Sequence, residues 1–201
     1  MAYVETKPIT YGTAAGETMS GGGIGNNAVS AGVKFSTAPS GLTDSLGGVR
    51  FYGMAGNDVL LGTTHSDTLN GGDGNDVIRG GAGCDQLYGG AGNDSFYFKV
   101  GDLGTSTTSS LTASAWTSQA GGDMIMDFQG AGVAGGDFLS FNGFGTVAQG
   151  ASLTYLGQVA GFPTAAVYQV HAASGGNTLF TVQNMDLSAT KLAVGDYAFN
   201  A

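Results

Sequence analysis

Five aspartates recur at every ninth position in the middle of this 201-residue chain, and this spacing is the strongest chemical signal in the sequence. Each is the sixth residue of a nonapeptide that opens with glycine and carries a large apolar residue at its eighth position. Because hard cations prefer carboxylate oxygens as ligands, the pattern indicates a row of metal sites. The nonapeptides are GMAGNDVLL (53–61), GTTHSDTLN (62–70), GGDGNDVIR (71–79), GGAGCDQLY (80–88) and GGAGNDSFY (89–97), with aspartates Asp58, Asp67, Asp76, Asp85 and Asp94.

The nonapeptide predicts six residues of turn followed by three residues of strand, with the apolar eighth residue pointing inward. Two consecutive nonapeptides then form one 18-residue coil, so every second aspartate lies on the same side. Neighbouring coils lie about 4.8 Å apart, and two carboxylates at that spacing repel by roughly 3 kcal/mol at an effective dielectric constant near 20. The array contributes a single basic residue, Arg79, so a bound cation is needed to offset the repulsion.

Calcium meets this need because it accepts carboxylate and backbone carbonyl oxygens in flexible geometry, whereas magnesium demands a stricter octahedron. The aspartates form three same-side pairs: Asp58 with Asp76, Asp67 with Asp85, and Asp76 with Asp94. We therefore expect about three calcium ions in the central roll, and further ions in the flanks remain an open alternative. A turn array that binds no metal is the competing interpretation, which the stacked carboxylates disfavour.

The second repeat departs most from the pattern. Thr63 and His65 stand where the last three repeats carry glycine. Imidazole is a better ligand for zinc or copper than for calcium, so His65 is expected to be an ordinary turn residue.

The pattern G-G-x-G-x-D-x-U-x, in which U is a large apolar residue, resembles the calcium-binding repeat of the RTX (repeats-in-toxin) family. The resemblance implies an all-β fold, a parallel β-roll of calcium-binding nonapeptide repeats with flanking β-strand caps. Downstream, GGDMIMDFQGAGVAGGDFLSF (121–141) is similar to the segment after the roll in serralysin-type secreted proteins. This similarity makes Asp123 and Asp127 candidate calcium ligands, with a turn role as the alternative for each.

Three regions are predicted along the chain. Residues 1–52 form an N-terminal cap with degenerate repeats, in which Glu17 and Met19 replace the aspartate and the apolar residue. Residues 53–97 form the five-repeat roll, and residues 98–201 form a C-terminal β-rich domain. Strands in that last region are expected at 152–159, 164–172 and 177–185.

The C-terminal stretch DLSATKLAVGDYAFNA (186–201) looks like the end of a type I secretion substrate, with Asp196 before a terminal apolar cluster. This resemblance implies a C-terminal export signal, the type I secretion machinery as a partner, and a location outside the cell, at its surface or in a matrix. The N-terminal residues lack the basic and apolar regions of a Sec-type signal peptide, which agrees with that route.

Composition excludes several functions. The net charge is −9 with six basic residues, which excludes a nucleic-acid-binding footprint, and no apolar stretch is long enough to span a membrane. The sequence contains no H-E-x-x-H, G-x-S-x-G or P-loop motif, and its two histidines, His65 and His171, are far apart. We therefore expect a protein that is not an enzyme.

The favoured hypothesis is a secreted calcium-binding structural building block that folds on calcium and associates with itself into a filament, surface layer or matrix. Low charge and exposed strand edges at the ends of a short roll favour association. The alternative is a monomeric calcium-dependent adhesin or carbohydrate-binding accessory module, in which Trp116, Tyr155, Phe162 and Tyr168 would contact a glycan.

Overall fold

Two β-sheets enclose the main apolar core, and a smaller apolar cluster of Val159, Ala165 and Val167 lies in the C-terminal strands. The computed structural model describes residues 9–12, 16, 18–20, 48–103, 122–130, 136–159, 162–184 and 191–201. Sheet one contains eight strands in the order β1 (Ile9–Tyr11), β3 (Arg50–Ala55), β5 (Thr68–Asp73), β7 (Gln86–Ala91), β9 (Met124–Phe128), β13 (Asn177–Asn184), β12 (Phe162–His171) and β11 (Ser152–Val159). Sheet two contains six strands in the order β14 (Tyr197–Asn200), β10 (Phe138–Asn142), β8 (Ser95–Lys99), β6 (Val77–Arg79), β4 (Val59–Leu61) and β2 (Thr18–Ser20).

From β3 to β8 the chain passes alternately from one sheet to the other, and each strand pairs in parallel with the strand one coil later. The register offset is 18 residues, as in the pairs Leu60–Ile78 and Leu69–Leu87. This is the parallel β-roll that the nonapeptides predict, and the predicted fold class is confirmed.

The apolar eighth residues form two inward-facing ladders, one from each sheet. Leu60, Ile78 and Phe96 on sheet two and Leu69 and Leu87 on sheet one are all completely buried. Burying one such side chain stabilises the folded chain by about 1.5–3 kcal/mol, so these ladders supply the apolar part of the roll's stability.

The two sheets differ in strand length. Strands β4 and β6 contain three residues, as predicted, whereas β5 and β7 contain six because their pairing continues through the glycines that open the next repeat. Strand β4 ends at Leu61, where Thr63 enters a turn that is hydrogen-bonded to Asp67.

The roll continues beyond the five repeats. Strand β9 pairs with β7, and β10 pairs with β8, both in parallel. An insertion interrupts the coil after β8. Leu103 bridges to Gly83 and Asp123 contacts Asp85, so residues 104–122 replace the single residue Cys84 of the preceding coil.

The C-terminal strands close the far end of the roll. Strand β13 pairs in parallel with β9, β12 and β11 follow as antiparallel strands, and β14 pairs in parallel with β10. The strands expected at 152–159, 164–172 and 177–185 are confirmed as β11, β12 and β13, with small shifts at their ends. Phe141 packs against Phe98, Phe180 and Phe199, which ties the end strands to the core.

The N-terminal prediction is only partly within the described residues. Met19 pairs with Leu60, so it occupies the apolar position one coil earlier, as the degenerate repeat predicts. Glu17 and Trp116 lie outside the described residues. The division at residues 52 and 97 stays a prediction, and strands β9 and β10 extend the two sheets of the roll past residue 97.

The described residues include no helix that is long and apolar enough to cross a membrane.

Gly72 offers a test of the close stacking between coils. Its φ is +110°, and a Cβ there would overlap the carbonyl oxygen of Met54 in the preceding coil. Gly101 has a similar φ of +95° but open space around it. We expect Gly101→Ala to lower the free energy of unfolding by about 1–2 kcal/mol, and Gly72→Ala to lower it by about 3 kcal/mol because overlap is added to backbone strain.

Urea unfolding in saturating calcium measures both variants. Equal losses would contradict the close approach of Gly72 to Met54 in the neighbouring coil.

Candidate calcium site

Four aspartates stack along the edge where the chain passes from sheet one to sheet two. The backbone N–H of Asp58 donates to Oδ1 of Asp76 at 2.7 Å, and the N–H of Asp76 donates to Oδ1 of Asp94 at 2.8 Å. The N–H of Asp94 donates to Oδ1 of Asp137 at 2.9 Å. Each contact joins neighbouring coils, so the carboxylates form one continuous ladder.

Three further aspartates stack along the opposite edge. The N–H of Asp67 donates to Oδ1 of Asp85 at 2.8 Å, and the N–H of Asp85 donates to Oδ1 of Asp123 at 3.0 Å. At the top of this ladder, the N–H of Val49 donates to Oδ1 of Asp67 at 2.6 Å. The structure therefore brings together the three predicted same-side pairs and adds Asp123 and Asp137 below them.

These carboxylates are buried. The five repeat aspartates are at most 1% exposed, and Asp123 is completely buried. Within the described residues, Oδ2 of Asp76, Asp94 and Asp123 has no hydrogen-bond partner. An ionised carboxylate without compensation is costly in such surroundings, so these oxygens require a cation or a proton.

The space around each carboxylate depends on the first glycine of the same repeat. A Cβ at Gly71, Gly80 or Gly89 would overlap Oδ2 of the aspartate five residues later. The same holds for Gly53 and its aspartate, Asp58. Glycine at this position therefore leaves room for the carboxylate itself.

No group of three or more His, Cys, Asp or Glu side chains comes together as a metal site in the part of the chain that the structure describes. The aspartates are arranged in pairs between coils instead. Calcium takes six to eight oxygen ligands, so backbone carbonyls of the glycine turns or water must supply the remainder of the shell. The donor set, which consists of oxygen atoms, fits calcium better than a transition metal.

The buried carboxylates hold their protons more tightly than free aspartate. Burial raises the pKa of Asp94 from 3.8 to about 7, with the negative charges of Asp137, Asp76 and Asp127 adding to the effect. Burial also raises the pKa of Asp76, and it raises that of Asp123 well above the ordinary value, helped by the charge of Asp85. Desolvation of the charged form is the largest cause of each of these raised pKa values.

Asp127 has different surroundings from the repeat aspartates. Its two carboxylate oxygens accept the backbone N–H groups of Gly89 and Gly90 at 2.8 and 3.0 Å. Beside it, the side-chain amide of Gln129 donates to the carbonyl oxygen of Gly90. These contacts provide partners for backbone N–H and carbonyl groups of the last glycine turn, on which no further glycine turn stacks. The geometry therefore favours the turn role for Asp127.

Asp137 closes the same end. Its Oδ2 accepts the backbone N–H of Gln129 at 2.8 Å, while its Oδ1 accepts that of Asp94. Burial raises its pKa to about 6. Asp137 was not among the predicted ligands, although it stands two residues before the buried Leu139, which is the aspartate-to-apolar spacing of the repeats.

Asp102 is a buried carboxylate for which the protein provides the cation. Arg79 donates to it through Nε and Nη2 at 2.8 and 2.7 Å, and the backbone N–H of Lys99 donates at 2.8 Å. This pair compensates a buried charge without metal. The repeat pattern did not predict it, because Asp102 lies outside the nonapeptides.

Comparison with known families gives the same assignment as the geometry. The family described as the RTX calcium-binding nonapeptide repeat (4 copies) matches this chain at residues 44–64, 50–78 and 61–96. This segment is an RTX repeat array. RTX repeats bind calcium, so the array is a calcium-binding β-roll.

Two broader comparisons add context. No curated protein sequence matches the chain. Among solved structures, the chain is similar to the AlgE6R2 subunit of the Azotobacter vinelandii mannuronan C5-epimerase, with 20% identity and a TM-score of 0.39, covering 98% of this chain and 94% of that one.

The predicted calcium chemistry of the RTX array is therefore confirmed, whereas the role of each individual aspartate stays a prediction. The structure places Asp58, Asp67, Asp76, Asp85, Asp94 and Asp123 in the two ladders, and it places Asp127 in the cap.

The raised pKa values predict how the calcium-free chain depends on pH. A buried carboxyl keeps its proton in the folded state at pH values where the unfolded chain has lost it, so folding stability falls as pH rises from about 3.8 to 7. We expect the calcium-free protein to contain more β-structure at pH 5 than at pH 8, as measured by circular dichroism. Asp94→Asn should reduce the difference, and a flat profile in the wild type would contradict the prediction.

The ladder also predicts unequal effects of two substitutions. Asp76 lies between two aspartates of its ladder, whereas Asp58 has only one aspartate, Asp76, below it among the described residues. Asp76→Ala should therefore raise the calcium concentration needed for half-maximal folding more than Asp58→Ala does. A calcium titration followed by circular dichroism measures both, and equal shifts would contradict the pairing.

Proposed function

We propose that this protein is a secreted, non-enzymatic calcium-binding building block, which folds outside the cell on binding calcium and then associates with further copies of itself. The RTX repeats supply the calcium binding, and a repeat array of this kind is a structural module. RTX repeat proteins are typically extracellular, which supports the proposed location.

The observation that carries the proposal is the set of buried carboxylate oxygens without partners. In the absence of calcium, the ladder places like charges about 4.8 Å apart in surroundings that exclude water. The binding free energy of the metal then becomes folding free energy. Where calcium is scarce the chain is expected to remain unfolded, and millimolar calcium outside the cell is sufficient for sites of extracellular modules.

Self-association is supported by the strand edges. In the described part of the chain, sheet one ends at β1 and β11, and sheet two ends at β2 and β14. Charged residues and prolines commonly prevent an edge strand from pairing with another chain. Strand β11, SLTYLGQV, has eight residues and contains neither. Its pairing with β12 is irregular at two points, between Tyr155 and Gly157 and between Gln158 and Val159.

Export through a C-terminal signal is compatible with the position of the last strand. Asp196 is buried and accepts the backbone N–H of Ala193, and Phe199 packs on Phe141. Asp196 and Phe199 are covered in the folded structure. An export machinery can therefore reach them only while the chain is unfolded. Calcium-dependent folding would therefore follow export.

The alternative of a glycan-binding module finds less support. Tyr168 is 2% exposed, packs on Phe180, and its hydroxyl accepts the backbone N–H of Leu192. Tyr155 packs edge-on against Tyr168 and is covered by Lys191. These tyrosines serve packing, and Trp116 lies outside the described residues.

One experiment tests folding and association together. The protein is purified in chelator, calcium is added to millimolar concentration, and circular dichroism and light scattering are recorded in parallel. We expect a gain of β-structure followed by growth in particle size, with magnesium producing neither because its octahedral demand does not fit the turns. Folding without growth would contradict self-association, and no folding would contradict the calcium-driven mechanism.

A further inference from the structure

The second turn of the roll, residues 62–67, differs from its neighbours at its second position. Gly72, Gly81 and Gly90 occupy this position in the later repeats with φ values of +110°, +99° and +100°. Thr63 does not adopt a positive φ. A β-branched side chain strongly disfavours the left-handed region, so the backbone takes another course here.

That course directs hydrogen-bond donors at the aspartate of the turn. The backbone N–H of Thr63 donates to Oδ2 of Asp67 at 2.5 Å, and its hydroxyl lies 3.0 and 3.1 Å from the two carboxylate oxygens. The N–H of Val49 occupies Oδ1. The charge of Asp67 is therefore stabilised by three donors from the protein itself.

The contrast with the glycine turns is direct. Oδ2 of Asp76 and of Asp94 has no hydrogen-bond partner in the described structure, and both oxygens are buried. An ion entering those turns gains a carboxylate oxygen at no loss of other contacts. An ion entering the second turn would have to displace Thr63 from Asp67.

We propose that the turn at residues 62–67 closes without calcium, and that Thr63 is the residue that decides this. The inference rests on the proposed calcium-driven folding and specifies which turns respond to the ion. The roll then contains one turn formed by its own hydrogen bonds between turns that await calcium. In the folded roll, such a turn joins strands β4 and β5 without an ion of its own.

Substitution of Thr63 tests the inference by counting ions. Thr63→Gly permits a positive φ and removes the hydroxyl, so it should bind one calcium ion more than the wild type. Thr63→Val is the matched control, because it removes the hydroxyl but keeps the β-branch that sets the backbone, and its count should equal that of the wild type. Native mass spectrometry at saturating calcium gives the counts, with circular dichroism confirming that each variant folds.

The first turn allows the reverse experiment. Met54 occupies the second position there with φ +80°, and its side chain is 53% exposed. Met54→Thr places a β-branched hydroxyl residue four positions before Asp58, as Thr63 stands before Asp67. We expect this variant to bind one calcium ion fewer than the wild type. Because the Met54 side chain is exposed to solvent, the rest of the fold should tolerate Met54→Thr.

The outcomes separate this inference from the proposed function. An unchanged ion count in Thr63→Gly, or a gain in Thr63→Val, would overturn the assignment to Thr63, and so would an unchanged count in Met54→Thr. A wild-type chain that binds calcium without folding on it would overturn the calcium-driven folding mechanism instead, and the ion counts of the variants would still be decisive for Thr63.

Discussion

Like charges stacked in a buried row are the constraint on which the rest of this structure depends. The roll stacks carboxylates along both edges, and Oδ1 of four of them accepts a backbone N–H of the coil before it: Asp76, Asp85, Asp94 and Asp123. A single pair at this spacing repels by roughly 3 kcal/mol, while a domain of this size is stable by only about 5–15 kcal/mol. A few uncompensated pairs are therefore enough to decide whether the chain folds.

Several features of the sequence follow from that constraint. The first glycine of each repeat leaves room beside Oδ2, and the second glycine lets neighbouring coils approach. Two apolar ladders fill the interior and hold the sheets together, since the polar edges supply little stability without a cation. Two carboxylates receive donors from protein side chains, Asp102 from Arg79 and Asp67 from Thr63.

The C-terminal end of the roll is closed by a different chemistry. Phe96 pairs with Ile78 of the preceding coil, so Phe98 takes the position that Gly80 has in that coil. The ring of Phe98 packs against Phe141 and Phe180. Asp127 and Gln129 saturate the last glycine turn with side-chain groups. The roll thus ends where aromatic packing and side-chain hydrogen bonds replace glycine, and the antiparallel strands attach at that point.

The sequence by itself determined the repeat, the coil of 18 residues, the inward ladders and the calcium chemistry, because a strict nine-residue period fixes which side chains stack. Short-range pattern also sufficed for β11, β12 and β13. Only the tertiary structure decided that Asp123 joins a ladder while Asp127 caps a turn, since both depend on partners 37 or 38 residues away. Only the tertiary structure showed that Asp102 pairs with Arg79 and that Thr63 donates to Asp67. These hydrogen bonds depend on the course of the backbone, which the residue types restrict but do not specify.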